Sequence, residues 1–384
     1  MADGGEAFSA RTAASIADIG RDEWERLANP PDRPYNPFIS YDFLAALEAS
    51  GSVGAEAGWL PLHLVLESQG RIAGAAPLYL KSHSLGEYVF DHHWAEAFER
   101  AGGRYYPKLV SAAPFTPVPG PRLLAPEGPK RTALASALIA AARQTGVSSL
   151  HVNFLPADEA RLLEGAGALP RSGVQYHWFN RGYRSFEEFL ATLSSRKRKA
   201  IRKERAAAAA SGLAIRGLRG AEITEHHWDA FWAFYQDTGS RKWGRPYLTR
   251  DFFRRIAETT SDRLLLFIAE RAGEPVAGAL NFIGGEALFG RYWGAVERHP
   301  FLHFELCYHR AVEFAIENRL ARVEAGAQGE HKLARGYEPV ETCSAHWIAD
   351  PSFRQAISRY LEQERAQTGE EIDMLKAYTP YRKE

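Results

Sequence analysis

Residues 264–293 read LLLFIAERAGEPVAGALNFIGGEALFGRYW, and their periodicity decides the fold. Leu264–Arg271 and Pro275–Ile283 are β-rich runs that flank Ala272, Gly273 and Glu274, a hairpin signal. Ala287–Trp293 follows as a strand, with Phe289, Arg291 and Trp293 predicted on one face and Leu288, Gly290 and Tyr292 on the other. Pro300 suits the first position of a helix, so Phe301–Leu320 is predicted helical and buries Phe304, Tyr308, Ala311 and Ala315. Arg322–Ala325 then alternates as a strand that ends at glycines.

The first half repeats this grammar. Leu62–Glu67 and Ile72–Leu80 form a hairpin across Ser68–Arg71, and the helix Arg131–Thr145 leads into the strand Ser149–Phe154. The alignment of hairpin with hairpin and of helix-strand with helix-strand predicts an internal duplication. Further strands are expected at Ala14–Ile19, Gly86–Phe90, Leu213–Leu218 and Ser344–Ile348. Helices are expected at Asp22–Leu27, Ser40–Ser50 with Ser40 as cap, His93–Ala101, Ser185–Ser211, Glu225–Asp237, Thr249–Thr260 and Ser352–Thr368. The reading is an α/β (α+β) chain of two tandem domains, 1–175 and 176–384, each a mixed central sheet flanked by helices, with the active site in the second.

A chain of 384 residues with 45% hydrophobic content is long enough for two cores. Lys plus Arg and Asp plus Glu both number 47, so the overall field does not announce a DNA-binding or polybasic membrane protein. Two cysteines, Cys307 and Cys343, exclude a disulfide framework and suit a reducing compartment. The acidic N-terminus lacks the pattern of a secretory signal, and no apolar run approaches the ~20 residues of a membrane span, so a cytoplasmic protein is expected.

Chemistry concentrates in Leu320–Pro339, LARVEAGAQGEHKLARGYEP, which crowds Glu324, Gln328, Glu330, His331 and Lys332 into a Gly-punctuated turn at a strand end. Arg291, flanked by aromatics, needs a carboxylate, phosphate or carbonyl partner. A structural ion pair with Glu324 or Glu305 competes with a ligand role. Tyr292, Trp293, His303, Glu305 and Gln328 are candidate substrate contacts around it, and Glu305 and His309 share a helical face on which they could pair. His303 and Cys307 share another, but no second pair at ligand spacing supports a metal. The basic run Ser194–Arg205, SSRKRKAIRKER, lines up Arg196, Lys199 and Arg202 for donor phosphates, against the bland alternative of a solvated helix face. Trp243 and Tyr247 in SRKWGRPYLTR offer stacking surfaces, or simple packing. In the first half Asp91, His92, Tyr106 and Lys108 are clustered polar and aromatic side chains read as substrate contacts, core packing being the alternative. No serine elbow, Walker loop, dinucleotide fingerprint or zinc signature appears.

The segments NPFISYDFLAALEASG, YYPKLVSAAPFTPVPGPRLL, SRKRKAIRKER, RKWGRPYLTRDFF, GRYWG, PFLHFELCYHRA and VEAGAQGEHKLARGY resemble the FemAB-like peptidoglycan biosynthesis/recognition proteins, predicted N-acyltransferases of the GNAT superfamily. The resemblance runs from about Asn36 to Arg365 and implies two GNAT-like domains in tandem. It also implies transfer of an acyl or aminoacyl group from a thioester or ester onto an acceptor amine, such as that of a peptidoglycan precursor. Acyl-CoA and aminoacyl-tRNA are the donors it allows, and no resident cofactor or metal is firmly implied. The glycine loop that cradles pyrophosphate in acetyl-CoA-dependent relatives is absent between Trp293 and Phe301. Within this chemistry Glu324 or His331 is the expected base, and Lys332 and Arg291 are the expected oxyanion partners. The rival reading is a non-catalytic module that recognises a cell-wall fragment or a nucleotide-linked sugar. Binding of tRNA without catalysis is a third.

Overall fold

In the computed structural model, residues 7–243, 246–327 and 329–382 are described, without the side chains of 240–243. The chain divides into two compact units, Met1–Gly173 with Glu341–Glu370, and Val174–Val340 with Glu371–Glu384. This differs from a linear split at 175 in one respect: the chain returns late to the first unit, because Cys343–Ile348 pairs antiparallel with Ser149–Leu155.

In the second unit the strand order is Leu169–Phe179, Arg322–Glu324, Ala287–Ala295, Glu274–Ile283, Leu264–Arg271, Ala214–Arg219. The hairpin forms as its sequence predicts. Ala272 (φ 52°) and Gly273 (φ 87°) supply the two left-handed positions that match the twist of its strands. Ala287–Ala295 pairs parallel with Arg322–Glu324, bridged by one helix, whereas its other neighbour is antiparallel. That helix is not regular: Leu302–Phe304 and Arg310–Glu317 are α, and Glu305–His309 is a π turn. Ala311, Val312, Ala315 and Ile316 bury its apolar face in a core with Leu288, Val323 and Trp178.

The strict alternation expected along 287–293 does not hold. Tyr292 pairs with Leu280 and Gly290 with Asn281, so Arg291 is the extra residue of a β-bulge, which re-aims its side chain. The helix expected over 185–211 is also broken, into Phe186–Thr192 and Ser195–Ala209. Between them buried Leu193 turns extended (φ −83°, ψ 155°) and bridges to Tyr381. Strands Leu169–Phe179 and Glu338–Ile348 are, respectively, unanticipated and longer than expected.

The first unit carries a sheet ordered Trp59–Pro61, Tyr79–Lys81, Lys108–Ser111, Ser149–Leu155, Glu338–Ile348. Lys108–Ser111 pairs parallel with Ser149–Leu155. The helix Pro129–Thr145 lies between them in sequence and packs Leu134, Leu138 and Ile139 into the core. Each unit thus contains a strand-helix-strand step with parallel pairing. The first hairpin, His63–Ser68 with Arg71–Ala76, joins Ser9–Ala13 in a separate three-stranded sheet. Residues 14–19 are not a strand: Ser15 caps a short 3₁₀ turn, Ile16–Asp18, by accepting from the Ala17 amide. Nor do 86–90 form one; they lie in a bent segment before the helix His92–Arg100.

Candidate functional site

The strand Arg322–Glu324 delivers Glu324 to its end, opposite Phe289 on one side and His177 on the other. Glu324 is buried. Arg322 Nε donates to its Oε1 at 2.8 Å, while Oε2 lies 3.9 Å from His177 Nε2 and accepts no hydrogen bond among the described residues. The chain then turns through Gly326 (φ 80°) and Gly329 (φ 114°) into the 3₁₀ turn Glu330–Arg335. At position 329 the left-handed backbone favours glycine, and a Cβ there would also displace the imidazole of His331, 2.6 Å away.

That turn buries Lys332, 2% exposed, with Nζ donating to the Gly326 carbonyl at 2.8 Å. Burial first, and the Arg291 guanidinium second, push the pKa of Lys332 down to about 7, with the Cys307 thiol pulling weakly the other way. A Cβ added to Gly326 would stand 4.0 Å from Arg291 Nη1, so the bulge brings that guanidinium to the same turn. Cys307 sits on the π turn, an irregularity that recurs at functional sites.

His331 is exposed and shares a hydrogen bond of 2.8 Å between Nε2 and the Tyr308 hydroxyl. Partial burial and the charges of Arg335 and Lys332 lower its pKa, which favours the neutral imidazole. His303, Phe304 and Tyr308 surround its ring at 5.5–6.3 Å, and Trp293 meets His303 at 5.2 Å. Tyr292 is buried against Tyr235 and Phe253. Glu305 is buried and holds Arg205 and Arg310, both at 3.1 Å. The π turn shifts His309 away from pairing with Glu305, and its Nε2 meets Glu204 at 3.1 Å. Gln328 lies outside the described residues, as does the side chain of Trp243.

On the helix Ser195–Ala209, Arg196, Lys199 and Arg202 are exposed, and Arg202 reaches Glu187 at 2.6 Å. The structure therefore assembles Arg291, His303, Glu324, His331 and Lys332 around one strand end. Tyr308 and His177 join them without having been singled out as site groups by sequence, and Cys307, weighed there only as a metal partner of His303, joins them as well. The Tyr308 side chain reads as core from its helical spacing, and His177 lies on an unanticipated strand.

In the first unit Asp91 and Lys108 are fully buried together. Lys108 Nζ donates to Asp91 at 2.5 Å, to Ser84 at 2.8 Å and to Glu87 at 2.9 Å, using all three of its protons. Tyr105 donates to Asp91 at 2.6 Å, and Tyr106 shares a hydrogen bond with Ser84. Burial raises Glu87 to about 7 and lowers Lys81, stacked on Trp59, to about 7, each opposed by its partner's charge. His92 is exposed on the helix beside this network. Among the described residues no cluster of three or more His, Cys, Asp or Glu could hold a metal, and no helix is long and apolar enough to cross a membrane.

Each unit carries a strand-helix-strand step with parallel pairing in a mixed sheet. The chain belongs to the FemAB-like family, described as peptidoglycan biosynthesis/recognition, whose sequence model matches residues 15–383. Its fold is similar to that of FemX, with 12% identity and a TM-score of 0.57 over 88% of this chain and 98% of that one. It is also similar to the C-terminal domain of a putative lysylphosphatidylglycerol synthetase from Agrobacterium fabrum, at 9% identity and TM-score 0.52 over 91% of this chain and 97% of that one. L-PGS from Bacillus licheniformis matches at 11% identity and TM-score 0.50 over 86% of this chain and 98% of that one. At these identities the likeness is one of fold. No curated protein matches in sequence.

Proposed function

We propose that this protein transfers an acyl or aminoacyl group from a phosphate-bearing ester or thioester donor to an acceptor amine on a peptidoglycan precursor, with Lys332 as the base. The observation that carries the reading is a lysine buried in the turn that follows a sheet strand, its Nζ on the Gly326 carbonyl, in surroundings that push its pKa down to about 7 through burial and the Arg291 guanidinium. An amine nucleophile reaches the enzyme as an ammonium ion and must lose a proton before it attacks, which suits a base poised near neutral pH. Of the other two candidates, His331 shares its Nε2 with the Tyr308 hydroxyl, and Glu324 keeps one oxygen on Arg322 and leaves the other for the positive charge of the acceptor.

In this mechanism Glu324 supplies a fixed negative charge for the acceptor ammonium. The neutral Lys332 amine takes one proton, and the freed amine attacks the donor carbonyl. The oxyanion that forms is stabilised by Lys332, now an ammonium, and by Arg291. Collapse breaks the bond to the leaving oxygen or sulfur, which takes its proton from Lys332, and the second proton of the acceptor nitrogen leaves through His331 to water. Arg196, Lys199 and Arg202 present positive charge for the phosphates that acyl-CoA and aminoacyl-tRNA both carry. Membership of a peptidoglycan biosynthesis/recognition family supports the acceptor, and the name lysylphosphatidylglycerol synthetase on a structural neighbour supports an aminoacyl donor.

The test is unfolding of the whole chain with acetyl-CoA, longer acyl-CoAs and aminoacyl-tRNA. At ~100 times its dissociation constant a true donor stabilises by about 2.7 kcal/mol. A shift with one donor class identifies it, whereas no shift with any of them refutes the transferase reading and favours a recognition module.

A further inference from the structure

The basic run 194–205 contains one acid, and the structure gives that acid a specific position. Glu204 points inward from the helix Ser195–Ala209, whereas Arg196 and Lys199 face solvent. Arg335 grips it with both arms of the guanidinium, Nη2 to Oε1 at 2.6 Å and Nε to Oε2 at 3.1 Å. His309 of the π turn shares Oε2 at 3.1 Å. The third arm of Arg335, Nη1, donates to the carbonyl of His331 at 2.7 Å, and its guanidinium lies 3.4 Å over the ring of Phe304. A continuous chain of charge-assisted bonds therefore runs from the helix through Arg335 to the backbone between His331 and Lys332. The next residue, Arg205, makes the parallel connection to Glu305 and Glu313.

We infer that Glu204 is a positioning residue: through Arg335 it seats the His331–Lys332 turn against the helix that presents Arg196 and Lys199, so that donor phosphates and base share one rigid support. A bidentate Arg–carboxylate pair fixes orientation as well as distance, and here both partners are largely withdrawn from water. Burial opposes the Glu204 charge, but the hydrogen bonds from His309 and Arg335 outweigh it and hold the carboxyl below its ordinary range. The inference rests on the reading of Lys332 as base. The groups facing Lys332 include Arg291 from the bulged strand, Cys307 from the π turn, His177 from the strand beside Glu324, the adjacent His331, the Gly326 carbonyl and, at 5.9 Å, the Tyr176 ring.

The experiment is NMR titration of the full chain labelled with ¹³C at lysine Cε, with the Lys332 signal assigned by its loss in Lys332→Met. The wild type is expected to titrate near pH 7. In Glu204→Gln the turn loosens, Lys332 gains water, and its midpoint rises by one unit or more, a tenfold or larger loss of neutral amine below the midpoint. Deleting a negative charge without any movement lowers an ammonium pKa, so the direction of the change separates positioning from electrostatics. Arg335→Lys keeps both charges and loses the fork; it is expected to raise the midpoint as well, and it decides the matter if Glu204→Gln does not fold. An unchanged or lowered midpoint in a folded variant overturns the inference. A wild-type midpoint near the ordinary lysine value would instead remove Lys332 as base, and the positioning role of Glu204 with it.

Discussion

Replacing Lys332 with methionine should abolish transfer while making the protein more stable. Burial holds this lysine's pKa at about 7 against an ordinary 10.5. At ~1.4 kcal/mol per unit, that depression corresponds to roughly 4–5 kcal/mol of penalty for keeping the ammonium out of water. Methionine fills similar volume without the charge but gives up the bond to the Gly326 carbonyl, which returns about 1 kcal/mol. A net gain of about 3–4 kcal/mol follows, on the order of 10 °C in Tm for a unit of this size. The gain depends on pH. Because the folded-state pKa lies below the unfolded one, the unfolded chain holds more protons between about 7 and 10.5, and wild-type stability rises with pH across that window. The penalty is complete below about 7, so the advantage of methionine should be greatest at pH 6 and fade toward pH 10. Urea unfolding of both proteins at those two pH values reads it directly. A methionine variant that is less stable at pH 6, or whose advantage is the same at both, would show that Lys332 is a structural residue and not one retained for chemistry.

Lys108→Met should behave in the opposite way, because it removes the ammonium that the buried Asp91 and Glu87 carboxyl groups both accept from in the first unit. Breaking a buried pair costs about 3–5 kcal/mol, and stability within 1 kcal/mol of wild type in urea would instead favour the substrate-contact reading of this cluster. The double variant Arg196→Ala, Lys199→Ala should leave unfolding unchanged to within ~0.5 kcal/mol, since both side chains are exposed. It should also flatten the log–log salt dependence of donor binding by about 2, one for each phosphate left without its cation. An unaltered slope would place the donor elsewhere.

Much of this site is legible in the sequence because its parts are local. The hairpin 264–283 announces itself by alternation around Ala272 and Gly273, and Glu324, His331 and Lys332 fall within nine residues. What escapes is defined by partners distant in the chain. The bulge at Arg291 exists only in the register with Leu280 and Asn281, and no residue within 287–293 encodes it. The π turn keeps a helical pattern on both sides and alters pairing only at its own residues, so Glu305 and His309 look like partners until Arg205 and Glu204 claim them. The break at Leu193 has no glycine or proline to signal it, because its cause is the bridge to Tyr381. In Leu169–Phe179 the polar stretch Arg171–Ser172–Gly173 hides a strand stabilised by its neighbours rather than by its own propensity. Lys108 and Asp91 attract attention as polar residues among aromatics. Only the packing shows that they pair with each other.

The most direct test of Lys332 as the base is the single-turnover rate of transfer to a peptidoglycan-precursor amine, measured against pH with whichever donor stabilises the protein. The rate is expected to climb tenfold per pH unit below about 7, to level above it as Lys332 loses its proton, and to disappear in Lys332→Met. A rate that is flat across that range, or that survives the loss of Lys332, would contradict this role.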